Sequence, residues 1–166
     1  MDYAARLTEI RQQWPQPLTP GSSEEAAALD RFRAFFADFT PAKVAQLLPQ
    51  TYAEDVWFND TLKTVRGRER LGHYLAESAA AVEACRVQID DLTHNGQGDY
   101  YVRWRMMIRF RRFKRGTDTH SIGISHLRFD ERGQVLLHQD YWDATQGLFE
   151  HVPVLGSMIR WIKRRV

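Results

Sequence analysis

His138 and Asp140 stand two residues apart in a run, 135–142, that reads as a strand. Side chains alternate across a strand, so His138, Asp140 and Trp142 share one face while Gln139, Tyr141 and Asp143 share the other. A carboxylate next to an imidazole on one face favours the charged imidazole and lets the pair hold or move a proton. At the apolar end of a sheet, that is the composition of a general acid–base site. His138 is the histidine we select for this role.

The strands that must position this pair precede it. Residues 119–129 form a strand-like run joined to 135–142 through the polar turn Glu131-Arg132-Gly133. In it Ser125, Leu127 and Phe129 share a face, and the two apolar members direct that face inward, which places Ser125 inside and His126 outside. The run 100–113 alternates in the same way. Trp104, Met106, Ile108 and Phe110 fall on one face, expected to meet the helices and a cavity. Arg103, Arg105, Arg109 and Arg111 fall on the other, expected to meet solvent, acidic neighbours or a second subunit.

Further back, Trp14-Pro15-Gln16-Pro17-Leu18-Thr19-Pro20-Gly21 breaks any helix begun at Tyr3, so residues 1–22 read as an N-terminal arm. Ser22 with Glu25 makes a capping-box pattern, and the helix after it carries Ala28, Leu29, Phe32, Phe35, Phe36 and Phe39. Thr40-Pro41 starts a second helix that should run to Pro49. A strand over 55–60 follows, ending at Asp60 in step with Phe58 and Val56. Arg66-Gly67 opens a third helix with Leu71, Tyr74, Leu75 and Ala79. Strand-like runs at 85–91, 100–113, 119–129 and 135–142 complete the chain, with turns at 95–98, 114–116 and 131–133. Helices first and strands last mean an α+β fold with helices on one face of a largely antiparallel sheet.

This order of elements resembles the NTF2-like superfamily and, within it, the SnoaL-like relatives of polyketide cyclases. The resemblance spans about residues 25–148. It is carried by Tyr52-Ala53-Glu54-Asp55-Val56-Trp57-Phe58-Asn59-Asp60, Val65-Arg66-Gly67-Arg68-Glu69, Ser125-His126-Leu127-Arg128-Phe129 and His138-Gln139-Asp140-Tyr141-Trp142-Asp143. It implies a curved sheet wrapped around N-terminal helices as a cone with a ligand cavity, and a homodimer. The domain would then occupy 23–148. Phe58, Tyr74, Trp104, Met106, Ile108, Ser125 and Trp142 would bind an apolar ligand, with Asp140, His138 and Asp60 as catalytic groups. Asp60 matches the proton-shuttling carboxylate of ketosteroid isomerase-like members. Their tyrosine, however, is represented by phenylalanines (Phe32, Phe35 or Phe36) and their oxyanion acid by Ser125, so the resemblance does not carry steroid isomerisation by that mechanism. Asp140 also matches an acidic residue of limonene epoxide hydrolase-like members, whose inward arginine and second aspartate fall on Trp104 and Met106. Arg105 would serve only if a bulge shifted the register. The histidine of the cyclases falls on Ser125 when aligned on Arg128-Phe129, and on His126 when counted back from Asp140.

Composition sets the outer limits. The 166 residues suit one domain with a sizeable core, at 43% hydrophobic and 27% charged. No apolar run approaches the roughly 20 residues of a membrane span, and Met1-Asp2-Tyr3-Ala4-Ala5-Arg6 lacks the order of a secretory signal. Cys85 is the single cysteine, read as a small buried hydrophobe, and a reducing cytoplasm is the expected setting. His73, His94, His120 and His151 lack metal-ligand spacing, so no metal and no cofactor are expected. Gly67 and Gly123 are read as a helix start and a close-packed strand site. The basic stripe Arg109, Arg111, Arg112, Lys114 and Arg115 is read as a solvated or dimer-facing surface, because its aromatic neighbours alternate to the opposite face; a net charge of +2 adds no pull toward nucleic acid.

The tail, 149–166, is amphipathic and basic. Leu155, Met158, Ile159, Ile162 and Val166 can line one side of a helix, with Arg160, Lys163, Arg164 and Arg165 elsewhere. It would pack on its own domain or a partner, touch an anionic membrane surface, or lid the cone. The functional expectation is a small-molecule-binding domain doing isomerisation, cyclisation or dehydration. The alternative is a non-catalytic ligand carrier or dimeric interaction module.

Overall fold

The computed structural model describes residues 2–112, 116–152 and 154–165. Phe113, Lys114, Arg115 and Val166, which the sequence places in the long strand, its turn and the tail, lie outside the described residues. The helices are α1 Tyr3–Gln13, α2 Ser23–Ala37, α3 Pro41–Thr51, α4 Arg68–Ala81, α5 Ala144–Gly147 and α6 Leu155–Lys163, with a 3-10 turn at Phe149–His151. The strands are β1 Tyr52–Asn59, β2 Thr64–Arg66, β3 Val82–His94, β4 Tyr100–Phe110, β5 Asp118–Phe129 and β6 Val135–Trp142, in the order β2-β1-β6-β5-β4-β3. All pairings are antiparallel except β1 with β6. The α+β, NTF2-like architecture expected from the sequence is the one observed.

Local chemistry explains the helix starts. The Ser22 hydroxyl accepts from the Glu25 amide, and Glu25 Oε2 reaches back one residue further than the usual box, to the Gly21 amide. Glu25 Oε1 then accepts from the Tyr100 hydroxyl, tying the start of α2 to β4. Thr40 caps α3, with Pro41 at its first position. Gly67 opens α4 at φ 85°, where a side chain would be strained.

Several boundaries differ from expectation. Helix α3 runs through Pro49 to Thr51, because a proline in the last turn forfeits one bond while the Thr51 hydroxyl and the Tyr52 amide still bond to Leu47 and Leu48 carbonyls. The Pro49 carbonyl, left open by the end of the helix, accepts from Arg68 and Gln134. Strand β1 therefore starts at Tyr52, directly from the helix, and β2 is a short return strand that lacks a distinctive sequence pattern. β4 ends at Phe110. Arg111, assigned to the outer face by alternation, lies past the end of that alternation and donates to the Ala80 carbonyl in the last turn of α4.

The main core fills the concave side, where Phe32, Phe35, Val44, Leu48, Leu71 and Leu75 meet Val56, Phe58, Val102, Leu127 and Val135. A second cluster lies on the convex side, where Ile10 of α1 covers Ala53, Trp57, Leu136 and Leu137. The β4–β5 register runs without a break, whereas the register shifts in the β3–β4, β1–β6 and β5–β6 pairings. Arg105 accordingly stays outside and pairs with Asp90, while Arg103 pairs with Asp91 and Arg109 with Asp118.

Candidate functional site

The sheet curves around α2 and α4 to leave a cavity of about 760 Å³. Asp140, His138, Asp60, Ser125, Trp104, Met106, Ile108, Phe58, Tyr74 and Trp142 all line it. Phe32, Phe36 and Phe39 close the helical side, and Val87 and Ile89 extend the wall along β3. Most of the lining residues are aromatic or aliphatic, and Ser125, His138 and Asp140 form one polar cluster among them.

The polar cluster is a wired set of donors. Trp104 Nε1–H, which can only donate, bonds to Ser125 Oγ at 2.9 Å. The Ser125 hydroxyl proton is then free to go to Asp140 Oδ1, 2.5 Å away. His138 Nε2 lies 2.8 Å from the same Oδ1 and 3.2 Å from Ser125 Oγ. On the far side of the ring, Tyr52 Oη sits 2.9 Å from His138 Nδ1. Tyr52 is fully buried, its phenol is pushed well above the ordinary value by burial and then by the Asp140 charge, and no second acceptor among the described residues faces its hydroxyl. The phenol therefore donates to Nδ1, which places Nε2–H toward Asp140. Two donors thus converge on Oδ1, while Oδ2 has no bonded partner among the described residues and the carboxylate side chain is 15% exposed, into the cavity.

Packing holds the imidazole in that orientation. Phe58, Phe32 and Phe36 meet the His138 ring edge-on at centroid distances of 4.9, 5.5 and 6.0 Å, and the Tyr52 ring lies beside it in a nearly parallel plane. Gly123 is equally specific. A Cβ there would overlap the Trp104 ring and come within 2.8 Å of Trp142 Cβ, so only glycine lets the indole lie across β5 and reach Ser125.

Asp60 stands at the edge of the cavity in a turn. Its Oδ1 accepts from the Leu62 and Lys63 amides, and its Oδ2 accepts from the Tyr74 hydroxyl. Burial, then Asp60 and more weakly Asp140, raise the Tyr74 phenol, which keeps its proton as a donor. Trp142 Nε1–H bonds to the Asp60 carbonyl at 2.6 Å, which locks the turn against the end of β6.

Ser125 points inward and His126 outward. His126 Nδ1 accepts from the Tyr3 hydroxyl of α1 at 2.8 Å, its Nε2–H faces Asp99 Oδ1 at 3.0 Å, and its ring stacks on Tyr101. Burial would raise the Asp99 carboxyl, but bonds from Arg128, Arg11, His126 and Asn95 outweigh it and hold that group far below the carboxylate range. His126 thus belongs to a buried network under the N-terminal helix.

Sequence reasoning missed Tyr52, which lies behind His138 without lining the cavity. Nothing local signals it, since the contact spans 86 positions and depends on the parallel β1–β6 pairing. Cys85, read as a small buried hydrophobe, lines the cavity, as do Arg111 and Arg112 at its rim and Leu148 after α5.

Comparison with known proteins matches residues 32–138 to the SnoaL-like domain family. No functionally curated protein matches the chain. Among solved structures, an LEH-like epoxide hydrolase from M. tuberculosis superposes with a TM-score of 0.61 at 15% identity, covering 80% of this chain and 85% of that one. A protein with a ketosteroid isomerase-like fold from Catenulispora acidiphila, in complex with trimethylamine, gives 0.62 at 19% identity over 78% and 91% of the two chains. A protein assigned as a SnoaL-like polyketide cyclase from Shewanella putrefaciens gives 0.60 at 16%, over 75% and 93%. At these identities the likeness shows the fold alone.

Proposed function

Because the chain belongs to the SnoaL-like domain family, we propose that its cone binds an apolar or polycyclic small molecule and carries out cofactor-independent proton transfer on it. The observation that supports this reading is the one-sided loading of Asp140, with donors on Oδ1 and Oδ2 open to an apolar cavity. Oδ2 takes a proton from a carbon or hydroxyl of the ligand and returns it to another ligand atom, so the carboxylate ends as it began. Ser125 and His138 stay fixed as donors to Oδ1 and keep the carboxylate oriented through both steps. Asp60 with Tyr74 offers a second polar contact for the ligand's far edge. Isomerisation, cyclisation and dehydration all fit such a shuttle. Trp104 and Met106 stand where an epoxide hydrolase-type arginine and aspartate would be needed, which argues against epoxide opening.

The phenylalanines lining the helical side, Phe32 and Phe36, favour a second reading, a non-catalytic carrier of the same ligand class. In either case the protein works in the cytoplasm as a homodimer, formed through the outer sheet face where Ile122, Ile124 and Tyr141 are exposed. A library of apolar and polycyclic compounds screened by thermal shift, on wild type and Asp140→Asn, tests the reading. A true ligand raises the apparent stability of both proteins by mass action, and mass spectrometry then finds product with wild type alone. Stabilisation of both without product selects the carrier. No shift from any compound class removes the small-molecule reading.

A further inference from the structure

The C-terminal helix offers a surface the cavity does not use. Its inner side is anchored to the rest of the chain. Gly156 is buried, the Gly156 amide bonds to the Val152 carbonyl, Arg160 donates to the Glu150 carbonyl, and Lys163 pairs with the Glu150 carboxylate. Its outer side is apolar and open. Met158 and Trp161 are each 54% exposed and Ile162 is 46% exposed, with Val154 at 84% just before the helix. Two cations not used in that anchor, Arg164 and Arg165, follow the patch, in a segment, 155–165, that contains no acidic residue, and the Arg165 guanidinium lies 4.1 Å over the Trp161 ring.

We propose that α6 docks on an anionic lipid bilayer, with Met158, Trp161 and Ile162 in the headgroup boundary and Arg164 and Arg165 on lipid phosphates. Three features favour lipid over a second copy of this chain. A two-fold contact would bring the same cations face to face, with no acid in the segment to offset them. The patch is one apolar side of a single short helix bearing basic residues, suited to partial immersion at a headgroup boundary. Trp161 beside Arg165 is the pairing of amphipathic ring and snorkelling cation that sits at a headgroup boundary. The helix hangs from the 3-10 turn that follows Leu148, a cavity-lining residue, so docking would bring the cone close to the lipid surface. That last step, and any transfer of ligand from the bilayer, rests on the small-molecule reading; lipid docking does not.

Co-sedimentation of the full chain tests it, using phosphatidylcholine vesicles with and without about one-third phosphatidylglycerol. Binding to the anionic vesicles, weakened by added salt, is expected. The Trp161→Ser/Ile162→Ser variant should abolish it. Arg164→Gln/Arg165→Gln should weaken it by about tenfold or more, since each cation near such a surface contributes about fivefold. Circular dichroism and light scattering on the same samples confirm folding and oligomeric state. Equal pelleting by wild type and both variants, or no pelleting with anionic vesicles, overturns the proposal. So does a change of oligomeric state in the variants without loss of vesicle binding, which would assign this face to a protein contact. Because the readout is vesicle binding, its failure leaves the cavity reading standing, and the reverse.

Discussion

Tyr52 and His138 lie side by side with their ring planes 5° apart and their centroids 6.0 Å apart, and the phenol hydroxyl sits on Nδ1. Through that one bond a residue outside the cavity decides which nitrogen of a cavity histidine carries the proton. With Nδ1 occupied as an acceptor, Nε2–H is available to Asp140, and the carboxylate keeps Oδ2 for the ligand.

Tyr52→Phe should therefore uncouple geometry from protonation. The aromatic ring stays in place, but Nδ1 loses its donor in a buried site, at a cost of about 1–3 kcal/mol in denaturant unfolding. Nitrogen chemical shifts of His138 should report a single Nε2–H tautomer in wild type and a mixture in the variant. An unchanged tautomer would assign the orientation to packing alone.

Gly123→Ala probes the same wiring from the side of Trp104. The added methyl must displace the indole, which breaks the Trp104–Ser125 bond and overpacks the floor of the cone. We expect a loss of about 1–3 kcal/mol and a changed Trp104 environment in near-ultraviolet circular dichroism. Wild-type stability with an unchanged spectrum would contradict the close contact.

Cys85 is a reporter of the cavity. Burial pushes its thiol up to about 11. The thiolate is the reactive form, so alkylation should be slow at neutral pH and accelerate about tenfold per pH unit on the way to that value. A ligand in the cone should slow it further. Alkylation at the rate of a free thiol would show that the wall is open to solvent at Cys85.

Acid should loosen the convex side first. Burial lowers His126 below its ordinary 6.5, against the pull of Asp99, with Arg128 and Arg11 adding to the shift. Protons then bind the unfolded chain more readily, so this contribution is complete above pH 6.5 and is lost as the pH falls below it. Asp99, held below its ordinary 3.8, keeps its contribution above that value and loses it on further acidification. Urea unfolding across this range should show both losses, and His126→Gln should flatten the first and leave the part of the second that rests on Arg128, Arg11 and Asn95. A variant with the wild-type slope would acquit His126.

The fold was legible because its signals are local. Ser22 and Glu25, Thr40-Pro41 and Gly67 mark helix starts through bonds that span four residues or fewer, and alternation sorted Trp104, Met106 and Ile108 from Arg103, Arg105 and Arg109. Where the local rule stopped, so did the reading. Arg111 lies one residue past the end of β4 and bonds to α4, and Pro49 sits where a helix tolerates it.

For the site, the sequence by itself determined which side chains share a face within each strand, since a period of two groups His138 with Asp140 and Ser125 with Leu127 and Phe129; that Ser125 and not His126 enters the cavity beside Asp140 came from the strand pairing. The family resemblance put Trp104 and Met106 where the arginine and aspartate of limonene epoxide hydrolase-like members fall, but that Arg105 stays outside was decided by the unbroken β4–β5 register. Only the tertiary structure decided what those side chains do to one another. The proton wiring runs from position 52 to 138 and from 104 to 125 to 140, across strands whose neighbours are chosen by the closure of the whole sheet. No local preference encodes a contact of that length, because its free energy appears only when the distant strands are already in place.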